Sequence, residues 1–69
     1  MQNADARGWL EVLTELGGYH SHGINWTWAY FSTQADAEGF ERWLTTNGYE
    51  TRGVYPPTTS DPRFGVRFR

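Results

Sequence analysis

The chain contains no cysteine in its 69 residues, so neither a disulfide nor a thiolate-bound metal can stabilise its fold. A domain this short buries only about 60% of the surface that its unfolded chain exposes, which leaves a thin core. Dense packing of large side chains, or self-association, must compensate. Aromatic residues make up 17% of the chain, and four of them are Trp. We therefore expect one folded domain over residues 1–69.

The first predicted element is an amphipathic helix over residues 4–16. Apolar side chains recur there at the spacing of one helix face: Trp9, Val12, Leu13 and Leu16. Asn3 or Asp5 can cap the first turn, and Gly17-Gly18 can end the helix. Residues 17–23 (GGYHSHG) are expected to form a loop.

A strand and a capped helix are predicted next. Residues 24–31 (INWTWAYF) are rich in β-branched and aromatic types, which favours a strand. Thr33 with Asp36 approximates a capping box at the start of a helix over residues 34–47. Asn47-Gly48 is typical of a helix C terminus. The apolar side chains of this second helix lie on one face: Ala37, Phe40 and Leu44, with Trp43 beside them.

Two further strands complete the predicted elements. Residues 49–55 (YETRGVY) form one strand, which Gly53 interrupts. A stiff polar loop, PPTTSDP, covers residues 56–62. Residues 63–69 (RFGVRFR) alternate apolar and basic side chains, which is typical of a strand with one buried face.

The order α-β-α-β-β predicts an α+β two-layer sandwich. A strand–helix–strand unit crosses over right-handedly, which makes the first two strands parallel. The third strand then fits between them, giving a three-stranded mixed sheet of order 2-3-1, the split βαβ arrangement of ferredoxin-like folds. Both helices cover one face of this sheet, and the opposite face is left uncovered.

The alternation of the last strand decides which of its side chains lie on the uncovered face. Phe64, Val66 and Phe68 must point toward the helices, because the opposite orientation would bury three arginines. The basic side chains of the strand then lie on the uncovered face: Arg63, Arg67 and Arg69.

Two registers are open for the first strand. Phe31 directly precedes the helix cap, and it can tuck under that helix. Trp26, Trp28 and Tyr30 then join the arginines on the uncovered face. In the other register Trp26 and Trp28 form the core instead. With Arg52 of the second strand, the candidate partner-binding set comprises Trp26, Trp28, Tyr30, Arg52, Arg63, Arg67 and Arg69.

Aromatic side chains beside arginine on a sheet surface have two physical uses. They form hot spots of protein–protein interfaces, and they stack bases in sites for single-stranded nucleic acid or nucleotides. A symmetric homodimer that closes the face is a further alternative. Charge argues against duplex binding: seven acids and two arginines give residues 1–50 a net −5, while residues 51–69 carry only +3.

No catalytic constellation is recognisable in the sequence. His20 and His22 lie in the predicted loop, where spacing supplies no third metal ligand, so we expect solvated histidines. Neither a nucleophile elbow nor a phosphate loop occurs. The acids at the start of the second helix have no partner base or nucleophile: Asp36, Glu38 and Glu41. These patterns predict a non-enzymatic protein without cofactor or metal.

The run WAYF at residues 28–31, the segment FSTQADAEGFERWLTTNGYET at 31–51 and the terminal FGVRFR follow a strand–cap–helix–glycine–aromatic pattern. From Trp28 onward the chain resembles the RraB family, bacterial protein regulators of ribonuclease E. Peptidoglycan-binding SPOR domains share much of the pattern but have a further helix and strand. The RraB resemblance implies a non-enzymatic regulator or inhibitor that docks on another protein. A phage-encoded inhibitor of a host defence complex fits the same features.

Targeting signals are the last sequence feature that bears on function. We see no basic segment followed by an apolar run, as in a signal peptide, and no run of about 18 apolar residues. The lack of cysteine fits a reducing compartment. The expectation is a soluble, cytoplasmic protein with no membrane contact.

Overall fold

The structure, a computed structural model, describes residues 7–69 as two helices packed on a sheet. The elements in chain order are α1 (Trp9–Glu15), β1 (Tyr19–His22), β2 (Thr27–Phe31), α2 (Gln34–Thr46), β3 (Thr51–Tyr55) and β4 (Phe64–Phe68). The strands form one sheet in the order β1-β2-β4-β3, with every neighbouring pair antiparallel. Within residues 7–69, no helix is long and apolar enough to cross a membrane.

The predicted three-stranded mixed sheet is wrong, although the broad α+β class agrees with the structure. Residues 17–23, expected to be a loop, contain β1, which forms a hairpin with β2. All four residues of β1 are exposed, so backbone pairing rather than apolar burial holds this strand, and its sequence lacks the alternation of a half-buried strand. The sheet is also not mixed, because every strand is antiparallel to its neighbours; the last strand does lie between the other two predicted strands, in the order β2-β4-β3.

Several element ends differ from the prediction. Helix α1 begins at Trp9 rather than at residue 4, with Gly8 as its N-cap. The proposed caps Asn3 and Asp5 lie outside the described residues. Strand β2 begins at Thr27 rather than at residue 24, because residues 23–26 form a turn in which the Gly23 N–H donates to the Trp26 carbonyl at 2.7 Å.

Helix α2 shows why its segment was recognisable in the sequence. The Thr33 hydroxyl accepts a hydrogen bond from the Asp36 N–H at 3.2 Å and caps the first turn. At the other end, the Tyr49 N–H donates to the Leu44 carbonyl at 2.9 Å, across Gly48 in a left-handed conformation. The helix ends at Thr46, one residue before the predicted end.

The core lies between the two helices and one face of β2 and β4. Phe31, Phe40 and Phe68 are almost completely buried, and the Phe31 and Phe68 rings lie 5.2 and 5.6 Å from the Phe40 ring. Each such burial contributes about 1.5–3 kcal/mol relative to exposure. Phe31 therefore lies under α2, and alternate residues of β2 point to the other face of the sheet. The remaining buried residues are Val12, Leu13, Ala29, Ala37, Leu44 and Val66.

A glycine pair connects α1 to the sheet. Gly17 has φ of +71°, a left-handed conformation that ends the helix. Gly18 lies against β2: a Cβ atom there would stand 2.6 Å from Cε1 of Phe31 and 3.0 Å from the Tyr30 carbonyl oxygen. Only glycine allows the chain to pass this close to the core.

Gly18→Ala should destabilise the fold by roughly 1–3 kcal/mol, because the added methyl group must displace the Phe31 ring or the β2 backbone. The free energy of unfolding is measured by urea denaturation followed by Trp fluorescence.

Gly39→Ala in α2 is the matched control, since a Cβ atom there meets no atom within 4 Å. Its higher helix propensity should stabilise the fold by about 0.5–1 kcal/mol. Equal denaturation midpoints for Gly18→Ala and the unsubstituted protein would contradict the close packing at Gly18.

Candidate functional site

The side of the sheet that the helices do not cover carries aromatic and arginine side chains, and we call it the open face. In the pairing of β2 with β4, Trp28 stands opposite Arg67 and Tyr30 opposite Gly65. The Trp28 and Tyr30 rings are nearly parallel, with 10° between their planes and 6.1 Å between centroids. Tyr55 of β3 also pairs with Gly65, and its ring lies 5.4 Å from that of Trp28.

A β-bulge in β3 adds Arg52 to this face. Thr51 pairs with Phe68 and Val54 pairs with Val66, so two residues of β3 lie opposite the single residue between those partners. Gly53 takes a φ of +81° within the bulge, at the position where the sequence predicted an interruption. The Arg52 guanidinium lies 5.1 Å from the Trp26 ring centroid.

Trp26, just before β2, is surrounded by guanidinium groups. Those of Arg69, Arg67 and Arg52 lie 4.1, 4.8 and 5.1 Å from its ring centroid, within the range of cation–π attraction. Glu50 pairs with Arg69 at 2.9 Å and with Arg52 at 2.7 Å. Hydrogen bonds from Arg69, and then from Arg52, lower the pKa of Glu50. Two of the three guanidinium groups around Trp26 thus share one carboxylate, which offsets one of their two positive charges.

Arg67 differs from the other two arginines around Trp26. Its guanidinium lies 4.8, 5.5 and 5.9 Å from the rings of Trp26, Tyr55 and Trp28. Its Nε atom is buried without a hydrogen-bond partner, and no carboxylate in the described part of the chain pairs with this side chain. A desolvated donor without an acceptor is unfavourable, and the attraction between the guanidinium and the surrounding rings offsets part of this cost.

At the other end of the face, Arg63 is held by Asp61. The Arg63 side chain donates to the Asp61 carboxylate at 3.0 and 3.1 Å, and its backbone N–H donates to the same group at 3.0 Å. These bonds lower the pKa of Asp61. The guanidinium lies over the rings of Tyr30 and Tyr19, 4.6 and 5.4 Å from their centroids. Tyr19 was missed from the sequence because it lies on β1.

A hollow of about 380 Å³ opens between these groups. Gly65 forms its floor, because a Cβ atom there would come within 3.4 Å of the Trp28 ring and would partly fill the space. The loop after β3 forms one wall, where the Thr58 hydroxyl accepts from the Asp61 N–H at 3.1 Å. The lining residues are Trp28, Tyr30, Tyr55, Pro56, Thr58, Asp61, Arg63 and Gly65.

All seven predicted site residues contribute to the open face, and Trp28, Tyr30 and Arg63 line the hollow, but the prediction missed the other residues that line it. Tyr55 had no recognisable signal, because the bulge at Gly53 hides the alternation of β3, and the loop that begins at Pro56 was predicted as a stiff connector. In the sequence, Gly65 is recognisable only as a residue of the last strand that lacks a side chain. Its importance comes from the rings of β2 that lie over it.

The other titratable residues have structural contacts. His20 and His22 lie on β1 rather than in a loop, with ring centroids 5.4 Å apart and His20 5.3 Å from Trp9. Among residues 7–69, no group of three or more His, Cys, Asp and Glu could hold a metal ion. Glu38 accepts from Gln34 at 2.8 Å, and Glu41 accepts from Thr51 at 2.7 Å and so links α2 to β3.

We expect an NMR titration to place the pKa of Asp61 below its ordinary value, and Arg63→Gln to raise it. The rise should be partial, because the backbone N–H at this position still donates to the carboxylate. A carboxylate with a lowered folded-state pKa stabilises the fold above its unfolded-state pKa, and this stability is lost as pH falls through the folded-state value.

Arg67→Gln is the control for this titration, since Arg67 makes no hydrogen bond to Asp61. An unchanged Asp61 pKa in Arg63→Gln would show that the pair does not persist in solution.

Comparison of the chain with known proteins identifies no relative. No protein-family model matches the chain, and neither a curated protein nor a solved structure does so. The resemblance to the RraB family, on residues 28–51 and the terminal strand, therefore remains a prediction from the sequence.

Proposed function

We propose that this protein is a non-enzymatic regulator that docks on a partner protein through the open face. The observation that carries the proposal is Arg67, which pairs with no carboxylate of residues 7–69 and packs among three aromatic rings on an uncovered sheet. Trp, Tyr and Arg are the residue types that dominate binding energy at protein interfaces. They cluster here around the centre of one face.

The contacts within the face also favour protein docking. Glu50 holds Arg52 and Arg69, and Asp61 holds Arg63, so three long side chains already have defined positions. The rings of Trp28, Tyr30 and Tyr55 contact one another. Side chains that are ordered before binding lose little conformational entropy when a partner arrives.

Stacking of nucleic-acid bases fits this face less well. A base-stacking site needs aromatic faces that are free. Here guanidinium groups lie over Trp26 at 4.1–5.1 Å and over Tyr30 at 4.6 Å. The chain also carries a net charge of −2, so it lacks the general attraction to phosphate backbones that basic domains have.

The regulatory part of the proposal rests on the resemblance to the RraB family, whose members act by binding another protein. The same proposal places the protein in the cytoplasm, in keeping with a cysteine-free sequence. Catalysis is not part of it, because both carboxylates of the open face, Glu50 and Asp61, are engaged in ion pairs with arginines.

Trp28→Ala and Arg67→Ala should each reduce capture of a partner from a lysate of the native host by about tenfold or more, as expected for hot-spot residues. Capture is quantified by mass spectrometry against the unsubstituted protein. Arg42→Ala is the control, because it removes an exposed arginine from α2 on the opposite side of the sheet. Circular dichroism verifies that each variant folds.

Three outcomes would contradict the docking proposal. One is full capture by both open-face variants. The second is salt-dependent quenching of Trp fluorescence by short oligonucleotides, which would assign the face to nucleic acid. The third is a homodimer in sedimentation that Trp28→Ala dissociates, because the face would then be closed by a second copy.

A further inference from the structure

We propose that the segment docking on the open face is an acidic peptide that places a carboxylate against Arg67 and an adjacent bulky apolar side chain in the hollow beside Trp28. This inference rests on the proposed function and specifies the chemistry of the partner. It follows from the charge balance of the face, from the surroundings of Arg67 and from the composition of the hollow.

Four arginines and two carboxylates give the open face a net charge of +2, and Arg67 is the arginine that takes part in none of its ion pairs. Glu50 accepts from both Arg52 and Arg69, while Asp61 accepts three hydrogen bonds from Arg63. Both carboxylates are therefore engaged, and Arg67 pairs with neither of them. A carboxylate of a partner would form an ion pair with Arg67, as Glu50 and Asp61 already do with the other three arginines.

Arg67 is well prepared to accept that carboxylate. Its side chain is partly covered, and the rings of Trp26, Trp28 and Tyr55 surround the guanidinium. A planar guanidinium matches the two oxygen atoms of a carboxylate, and such charge-assisted pairs are about twice as strong as neutral hydrogen bonds. Because the low-polarity rings exclude water from one side of the group, the attraction is stronger than for a fully solvated arginine.

The hollow supplies the second half of the recognition. Its walls are mainly the apolar surfaces of Trp28, Tyr30, Tyr55 and Pro56, so a bulky apolar side chain gains by entering it. Asp61 lies at its polar end and would repel a second acid there. The apolar residue of the peptide therefore belongs in the hollow and the acidic residue outside it.

Trp28 joins the two parts of the site. Its ring lines the hollow, and it also lies 5.9 Å from the Arg67 guanidinium. A single short segment with an acid next to Phe, Leu or Trp therefore reaches both places. Neither a purely acidic segment nor a purely apolar one would use the whole face.

Selection from a displayed library of random peptides on the immobilised full chain tests this inference. We expect the enriched peptides to carry Asp or Glu beside a bulky apolar residue. In a synthetic peptide from the selection, changing each acid to its amide should weaken binding by about tenfold or more, as for a lost charge-assisted hydrogen bond. Trp fluorescence follows the titration.

Variants assign the carboxylate to Arg67. In Arg67→Gln the acid and amide forms of the peptide should bind almost equally, whereas Arg42→Gln should keep the difference between them. If Arg67→Gln does not fold, Arg67→Lys replaces it. Lysine keeps the charge but loses the paired geometry, so the difference should shrink without disappearing.

The other outcomes separate this inference from the docking proposal. Enriched peptides without acids whose binding Trp28→Ala abolishes would overturn the acidic partner and leave docking through the open face intact. Enriched peptides whose binding is insensitive to Trp28→Ala would overturn both the inference and the docking proposal. The same holds if no peptide is enriched and Trp28→Ala and Arg67→Ala both capture the lysate partner fully. A dimer that forms through this face would make a second copy the occupant and would likewise end the inference.

Discussion

Phe31 packs against Phe40 of α2 with 5.2 Å between ring centroids, and this contact holds β2 in one orientation. Since side chains alternate along a strand, a shift of one residue would exchange the buried and exposed sets of β2. Phe64 of β4 is paired with Phe31, and directly paired residues lie on the same side of a sheet. The two central strands therefore turn their Phe side chains to the same, helix-covered side. The position of Trp28 and Tyr30 on the open face, opposite Arg67 and Gly65, follows from this packing.

The arrangement of the open face addresses a difficulty that small domains share. Large aromatic side chains help a chain of this length to fold, but those on an uncovered face would favour aggregation. Arginine side chains cover much of this surface here, because their guanidinium groups lie over the rings of Trp26 and Tyr30 and remain in contact with water. Arg67, whose guanidinium lies 4.8 Å from the Trp26 ring, is the group proposed to bind a carboxylate when a partner arrives. One set of contacts thus serves the free protein and the proposed complex.

The parts of the fold that the sequence predicted are those whose side chains carry a periodic burial pattern. Helix α2 has a capping hydroxyl at Thr33, buried residues at helical spacing and a glycine at its end. In β4 the alternation of apolar and basic residues separates the positions that face the core from those on the open face. Strand β1 has no such pattern, because it lies at an edge with every residue exposed and is held by hydrogen bonds between backbones. Backbone pairing leaves no signature in the order of side chains, and the sheet was therefore predicted with one strand too few.

The sequence by itself determined that Phe64, Val66 and Phe68 face the core and that the arginines between and beside them face the other side, since burying unpaired charge is far more costly than burying apolar groups. Tertiary structure decided between the two registers of β2, because only the position of α2 over Phe31 distinguishes them. It also decided which arginines are paired. Glu50 and Asp61 are near in sequence to Arg52 and Arg63, but Arg69 reaches Glu50 only across the sheet. Within the part of the chain that the structure describes, Arg67 has no carboxylate partner, because the side chains that surround it are aromatic.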